Sequence, residues 1–155
     1  MPQLVKGGKH AFGWSKVGSS GRIILPPEAI QEYCFQEGDK LYMIPGSQKS
    51  GGFALASGEA LENSPLKTLF EKNSGLKEYR IPEADVIRLG SKPLCRVQFT
   101  KGSVTIPATT LKHYGIKIGD QLLVIRGSGL ALGFALRGPI IEEALKHPEL
   151  DVFAP

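Results

Sequence analysis

The chain contains one sequence pattern twice, at a fixed offset of 81 residues. The first copy spans residues 21–55 and the second spans residues 102–136, and the two align without a gap. The shared positions are mostly turn glycines, one proline and apolar residues, including Gly21 and Gly102, Pro26 and Pro107, Tyr33 and Tyr114, Gly38-Asp39 and Gly119-Asp120, and Phe53 and Phe134. Because turn and core residues recur rather than reactive ones, the repeat indicates a duplicated fold and not a duplicated chemistry.

Each copy has the pattern of a strand, a short helix and two further strands. The first strand is β-rich and ends at a proline, which cannot continue a hydrogen-bonded ladder. The predicted elements are strands at 22–25 and 103–106, helices at 28–33 and 109–114, apolar strands at 41–44 and 122–125, and last strands at 52–56 and 130–136. A further helix is predicted after each copy, at 58–71 and at 139–146.

One such unit is too small to bury its own apolar face, so the two copies are expected to share one core. We predict a mainly β fold with short helices (α+β), in which both copies close a single β-barrel about a pseudo-twofold axis. The predicted boundaries are a flexible basic arm at 1–13, the first repeat with its helix at 14–71, a linker at 72–94 and the second repeat with its helix at 95–155.

The composition of this 155-residue chain is that of a globular protein, with 41% hydrophobic and 22% charged residues. No apolar run reaches the roughly 18 residues of a membrane span, and the N-terminus lacks the apolar core of a signal peptide. We therefore expect a cytoplasmic protein without a membrane partner. Cys34 and Cys95 are not at equivalent repeat positions, which favours two reduced thiols over a shared disulfide or metal site.

The sequence offers no pattern typical of an enzyme. The three histidines are far apart, no His, Cys and carboxylate set has metal-ligand spacing, and no serine lies in a nucleophile elbow. The glycine-rich segment 46–52 lacks the Gly-Lys-Ser/Thr ending of a phosphate-binding loop. We expect no catalytic residues, no metal, no cofactor and no small-molecule substrate.

Positive charge is concentrated in the second copy. Residues 14–56 hold four basic and four acidic residues, whereas the equivalent residues 95–137 hold six basic residues against Asp120 alone. Any contact with a polyanion is therefore expected to depend on the second repeat. The alternative is that this charge only keeps the protein soluble.

The order of motifs within the copies resembles a known family. Residues 16–26 read KVGSSGRIILP and are followed by a short helix and Glu37-Gly38-Asp39-Lys40-Leu41, and a second version runs from Thr100-Lys101-Gly102 to Gly119-Asp120. This combination is similar to the AbrB/SpoVT swapped-hairpin family, and its tandem layout resembles the two-repeat members of the MraZ type. Gly18 stands where that family often has Asp.

The resemblance implies a DNA-binding transcriptional regulator whose basic residues lie at the first strand and on the short helix. Carried over by position, the contacts are Lys16 and Arg22 in the first copy, and Lys101, Lys112 and His113 in the second. The helix of the first copy has Gln31 and Glu32 where the family has arginines. The full set of predicted DNA-binding residues, which adds one further basic residue and the N-terminal arm, is Lys6, Lys9, Lys16, Arg22, Arg96, Lys101, Lys112 and His113.

A second hypothesis is a protein-interaction, assembly or antitoxin-like module with weak or no DNA binding. The neutral first repeat and its acidic helix region, with Glu28, Glu32 and Glu37, motivate this alternative. We also expect a homo-oligomer, with the C-terminal residues Leu150, Val152 and Phe153 docking on a neighbouring subunit. The sequence leaves open whether the two copies pair within one chain or exchange strands between chains.

Overall fold

A computed structural model describes residues 10–62, 86–89, 92–126 and 131–155. Within these residues the fold is mainly β with a few short helices, as predicted. The strands are β1 (Ala11–Lys16), β2 (Arg22–Ile24), β3 (Lys40–Pro45), β4 (Phe53–Ser57), β5 (Ile87–Leu89), β6 (Lys92–Gln98), β7 (Ser103–Thr105), β8 (Gln121–Arg126), β9 (Leu132–Ala135) and β10 (Val152–Phe153). The helices are α1 (Pro27–Tyr33), α2 (Gly58–Glu62), α3 (Ala108–Lys112) and α4 (Pro139–Ala144).

Eight of these strands form one sheet in the order β10-β1-β8-β9-β4-β3-β6-β5, and β2 and β7 form a separate two-stranded ribbon. The expected closed barrel is therefore not formed by the described strands, because β10 and β5 remain the two edges of an open sheet. The short strands before the prolines pair with each other in the ribbon, so they do not join the edges of the large sheet.

The strand pairs cross between the two copies of the sequence. Strand β1, which precedes the first copy, pairs antiparallel with β8 of the second copy, and β6, which precedes the second copy, pairs antiparallel with β3 of the first. Equivalent residues face each other at two central places, since Ile23 pairs with Val104 and Phe53 pairs with Phe134. The two phenylalanine rings stack with centroids 4.6 Å apart. Each copy therefore completes the sheet of the other within one chain.

The main core lies between the large sheet and the ribbon. Ile23 and Val104 of the ribbon are fully buried against Leu41 and Leu122 of the central strands. A smaller cluster, which includes Trp14, Leu150 and Ala144 of α4, covers the other face of the sheet. Burying each large side chain stabilises the fold by about 1.5–3 kcal/mol. Because these side chains come from both copies, both copies contribute to one core.

Helix α1 shows how the sequence sets a local element. It follows Pro26 and has a proline in its first turn, where a missing N–H is tolerated. It buries Ala29, and Ile30 and Tyr33 pack against the same core. Its C-cap residue is Cys34, which has left-handed backbone angles.

Several boundaries differ from those predicted. Strand β1 begins at Ala11, inside the segment assigned to the arm, and the start of β6 falls inside the segment assigned to the linker. The C-terminal residues pack on their own chain, because β10 pairs in parallel with β1 and Leu150 is buried. Residues 63–71 of the predicted helix lie outside the described residues, as do 1–9. Among the described helices, none combines the length and hydropathy that a membrane span requires.

Candidate nucleic-acid interface

The ribbon of β2 and β7 carries the same backbone contacts at both ends, with the two copies exchanged. Leu25 N donates to Gly102 O at 3.0 Å, and Ile106 N donates to Gly21 O at 3.0 Å. At each end, backbone next to a ribbon strand in one copy also bonds the Gly-Asp turn of the other copy. Residues from both copies are therefore brought together at each end.

The Gly-Asp turns hold this arrangement through paired hydrogen bonds. At one end Val17 N donates to Asp120 O and Gly119 N donates to Val17 O, both at 2.9 Å. At the other end Phe99 N donates to Asp39 O and Gly38 N donates to Phe99 O, both at 2.8 Å. We name the first the basic end, formed by residues 16–22 and 107–121, and the second the opposite end, formed by residues 97–103 and 26–40.

The two ends have opposite net charge. The basic end holds the cations Lys16, Arg22, Lys112 and Lys117 against the single carboxylate Asp120. The opposite end holds the cations Lys40 and Lys101 against the carboxylates Glu28, Glu32, Glu37 and Asp39. The basic end therefore combines Lys16 and Arg22, two of the four cations of the neutral first repeat, with the helix and turn of the basic second repeat.

Arg22 lies half-buried on the outer face of the ribbon, next to the fully buried Ile23. Its Nε donates to Ser103 Oγ at 3.1 Å, and that hydroxyl donates to Thr100 O at 3.0 Å. Ser103 is the residue equivalent to Arg22 in the second copy, where it replaces the arginine expected from the resemblance. Within the described part of the chain the guanidinium makes no second hydrogen bond, so its terminal nitrogens keep their donors for an external acceptor.

The other cations of the basic end are exposed. Lys16 is the last residue of β1, opposite Gln121 of β8, and Lys112 is the last residue of α3. Lys117 is exposed on the Gly-Asp turn, and its backbone N donates to Asp120 Oδ2 at 2.8 Å. That bond engages the only carboxylate of the basic end in the turn itself. His113 is exposed at the C-cap of α3.

The structure divides the predicted DNA-binding residues among different places. Lys16, Arg22, Lys112 and His113 fall within the two segments of the basic end. Lys101 lies at the opposite end, where its backbone N donates to Glu37 Oε2 at 2.7 Å. Arg96 lies half-buried on β6, paired with Tyr42 of β3. Lys6 and Lys9 fall outside the described residues.

Lys117 was missing from the predicted set. Its only signal in the sequence was its part in the charge excess of the second copy. The turn contact between Asp120 and Val17 places it beside Lys16, which is 101 residues away in the chain. A contact at that sequence separation leaves no local pattern.

Glu32 occupies a position where the resemblance would place an arginine, and it forms an ion pair across the repeats. Its carboxylate accepts a hydrogen bond from Arg126 Nε of β8 at 2.8 Å, and Arg126 Nη2 contacts its other oxygen. This hydrogen bond from Arg126 holds the pKa of Glu32 below its ordinary value of 4.5. Arg126 is therefore already paired with a carboxylate of its own chain.

The described residues contain no group of three or more His, Cys, Asp or Glu side chains arranged to hold a metal ion. No protein-family model matches the chain, and neither a curated protein nor a solved structure matches it.

Proposed function

We propose that this protein is a DNA-binding transcriptional regulator of the AbrB/SpoVT type that contacts duplex DNA through its basic end. The observation that carries the proposal is a set of backbone contacts between two segments. They join the segment that carries Lys16 and Arg22 to the segment that carries Lys112 and Lys117. Phosphate contacts from lysine and arginine supply most of the affinity in non-specific DNA binding. The charge distribution weighted the expected contact to the second repeat, whereas the proposed site draws on both repeats.

We propose further that the two copies form a swapped-hairpin unit with pseudo-twofold symmetry. The reciprocal pairing of β1 with β8 and of β6 with β3 supports this proposal. So do the contacts between equivalent positions, Ile23 with Val104 and Phe53 with Phe134. The proposed symmetry concerns these strand pairs and not the charge, because one end has a net positive and the other a net negative charge.

Salt dependence measures how many phosphates the basic end contacts. Each contact contributes about −0.9 to the slope of log affinity against log salt concentration, so the four cations predict a slope near −3.6. We would measure binding to a random-sequence duplex by fluorescence anisotropy between about 50 and 200 mM salt. Absence of binding at the lowest salt concentration would contradict the proposal.

Two matched variants locate the contact. Lys112→Gln with Lys117→Gln removes two exposed charges from the basic end and is expected to reduce the magnitude of the salt slope by about 2. The control, Lys49→Gln with Lys101→Asn, removes two exposed charges elsewhere and is expected to leave the slope unchanged. Asparagine suits position 101 because Lys101 has a φ of 50°. Equal losses in both variants would argue against the basic end as the site.

The second candidate is a protein-interaction or assembly module. The net negative charge of the opposite end favours it, because carboxylates in that position repel DNA. This candidate predicts partner binding that is insensitive to salt. The same anisotropy titration distinguishes the two, since only the DNA-binding regulator responds to a random duplex at low salt.

A further inference from the structure

One exposed apolar side chain lies at the tip of the basic end. Ile118 has 41% of its surface exposed, whereas Ile116 in the same segment is 2% exposed. The other large hydrophobic residues that are exposed in the described ranges are Leu145 and Val152. Leu145 follows α4, and Val152 lies on β10 opposite Trp14, two residues before Lys16. Of the three, only Ile118 belongs to the segments that form the basic end, where it directly follows Lys117.

The backbone on both sides of Ile118 is held in place. Gly119 N donates to Val17 O at 2.9 Å, and Asp120 N donates to Lys117 O at 3.1 Å. Asp120 Oδ2 accepts a hydrogen bond from Lys117 N at 2.8 Å. The turn thus holds Ile118 between Lys117 and Gly119, whose backbone is bonded to the segment that leads into Arg22.

The equivalent residue in the first copy has a different role. Glu37 accepts a hydrogen bond from the backbone N of Lys101 through its Oε2 and so ties the two copies together at the opposite end. An isoleucine cannot accept such a bond. Compared with Glu37, Ile118 therefore lacks this structural contact and the negative charge, and it places an aliphatic group at the basic end.

We propose that Ile118 reads the DNA sequence by an apolar contact with the C5-methyl group of thymine in the major groove. This inference rests on the proposed function. Contacts from lysine to phosphate position a protein on DNA but carry no sequence information. An aliphatic side chain against a thymine methyl group is one of the contacts that distinguish base pairs. The lysines thus supply affinity for DNA, and Ile118 supplies a preference for A·T pairs.

The test compares two short A·T-rich duplexes of the same sequence, one with thymine and one with uracil, which lacks only the methyl group. Wild-type protein is expected to bind the uracil duplex roughly fourfold more weakly, as the burial of one methyl group predicts. Ile118→Ser should bind both duplexes equally, and Ile118→Val should keep most of the difference. Because Ile118 is exposed, the thermal unfolding midpoint should change little in either variant.

Controls separate this inference from the proposed function. Lys112→Gln with Lys117→Gln should weaken binding to both duplexes and keep their affinity ratio. If wild type and Ile118→Ser give the same ratio, the inference is overturned while DNA binding stands. If wild type binds neither duplex at low salt, the proposed function itself fails.

Discussion

Residues 34 and 115 occupy equivalent positions and adopt the same left-handed backbone with different side chains. Cys34 has a φ of 56° and Gly115 a φ of 74°. A side chain in this region places Cβ close to the following carbonyl, at a cost of about 1–2 kcal/mol, and glycine avoids that cost. Glycine is the residue that helices most often carry in this conformation just past their last turn, and cysteine is not.

We predict that Cys34→Gly stabilises the protein by about 0.5–1 kcal/mol, since the relief of strain exceeds the added entropy of the unfolded chain. The matched change, Gly115→Ala, should destabilise it by about 1 kcal/mol. A Cβ atom at position 115 meets no atom within 4 Å, so that loss reports the backbone alone. Urea unfolding gives both values, and a destabilised Cys34→Gly variant would contradict the prediction.

At the scale of single elements, most of the strands and helices inside the repeats were predicted to within about two residues. The ribbon strands, α1 and the central strands β3 and β8 lie where local patterns placed them. Strands β1, β6 and β10 were not predicted. Each is stabilised by a partner distant in sequence, and β1 contains Gly13, which lowers its strand propensity. Local patterns therefore located the elements that carry turn signals of their own.

The ribbon gives an element-scale prediction, because its two entry glycines have different surroundings. A Cβ atom on Gly21 would lie 1.9 Å from Ile106 O, whereas one on Gly102 would meet only the Ile30 side chain at 3.9 Å. Both residues have positive φ, at 83° and 72°. Gly21→Ala should cost about 3 kcal/mol or more, because it adds a backbone clash to the strain, and Gly102→Ala should cost about 1 kcal/mol.

Thermal or urea unfolding of the two alanine variants measures this difference. The clash at Gly21 would break the hydrogen bond from Ile106 N to Gly21 O, which joins the first copy to the start of α3. Gly21→Ala should therefore also weaken DNA binding, while Gly102→Ala leaves it intact. Equal losses of stability would show that the ribbon can shift to accommodate the side chain.

At the scale of the whole molecule, the sequence indicated how much positive charge the chain carries but not which charges meet. Lys16 and Arg22 were assigned to a neutral repeat and Lys112 to a basic one. The backbone contacts of Val17 and Gly21 with the second copy bring them together. Only the pairing between distant parts of the chain determines this grouping, and no property of either copy alone reveals it.

The strand pairing across the two copies predicts that neither half of the chain folds alone as a monomer. In a fragment of residues 86–155, β8 lacks β1, β9 lacks β4, β6 lacks β3 and β7 lacks β2. The hairpin of β8 and β9 would then expose apolar residues such as Leu122, Val124 and Phe134 on edges without partners. Isolated hairpins are marginally stable in water at best.

We therefore expect residues 86–155 to give no cooperative unfolding transition when dilute. Mixing with a fragment of residues 1–85 should restore strand pairing across the copies, and a high fragment concentration should favour pairing between identical fragments. Circular dichroism follows the sheet, and fluorescence of Trp14, which packs beside Leu123 and Leu150, reports the reconstituted core. If residues 86–155 alone gave a cooperative transition at a midpoint independent of concentration, their own contacts would suffice for folding. The core shared with the first copy would then not be required for folding.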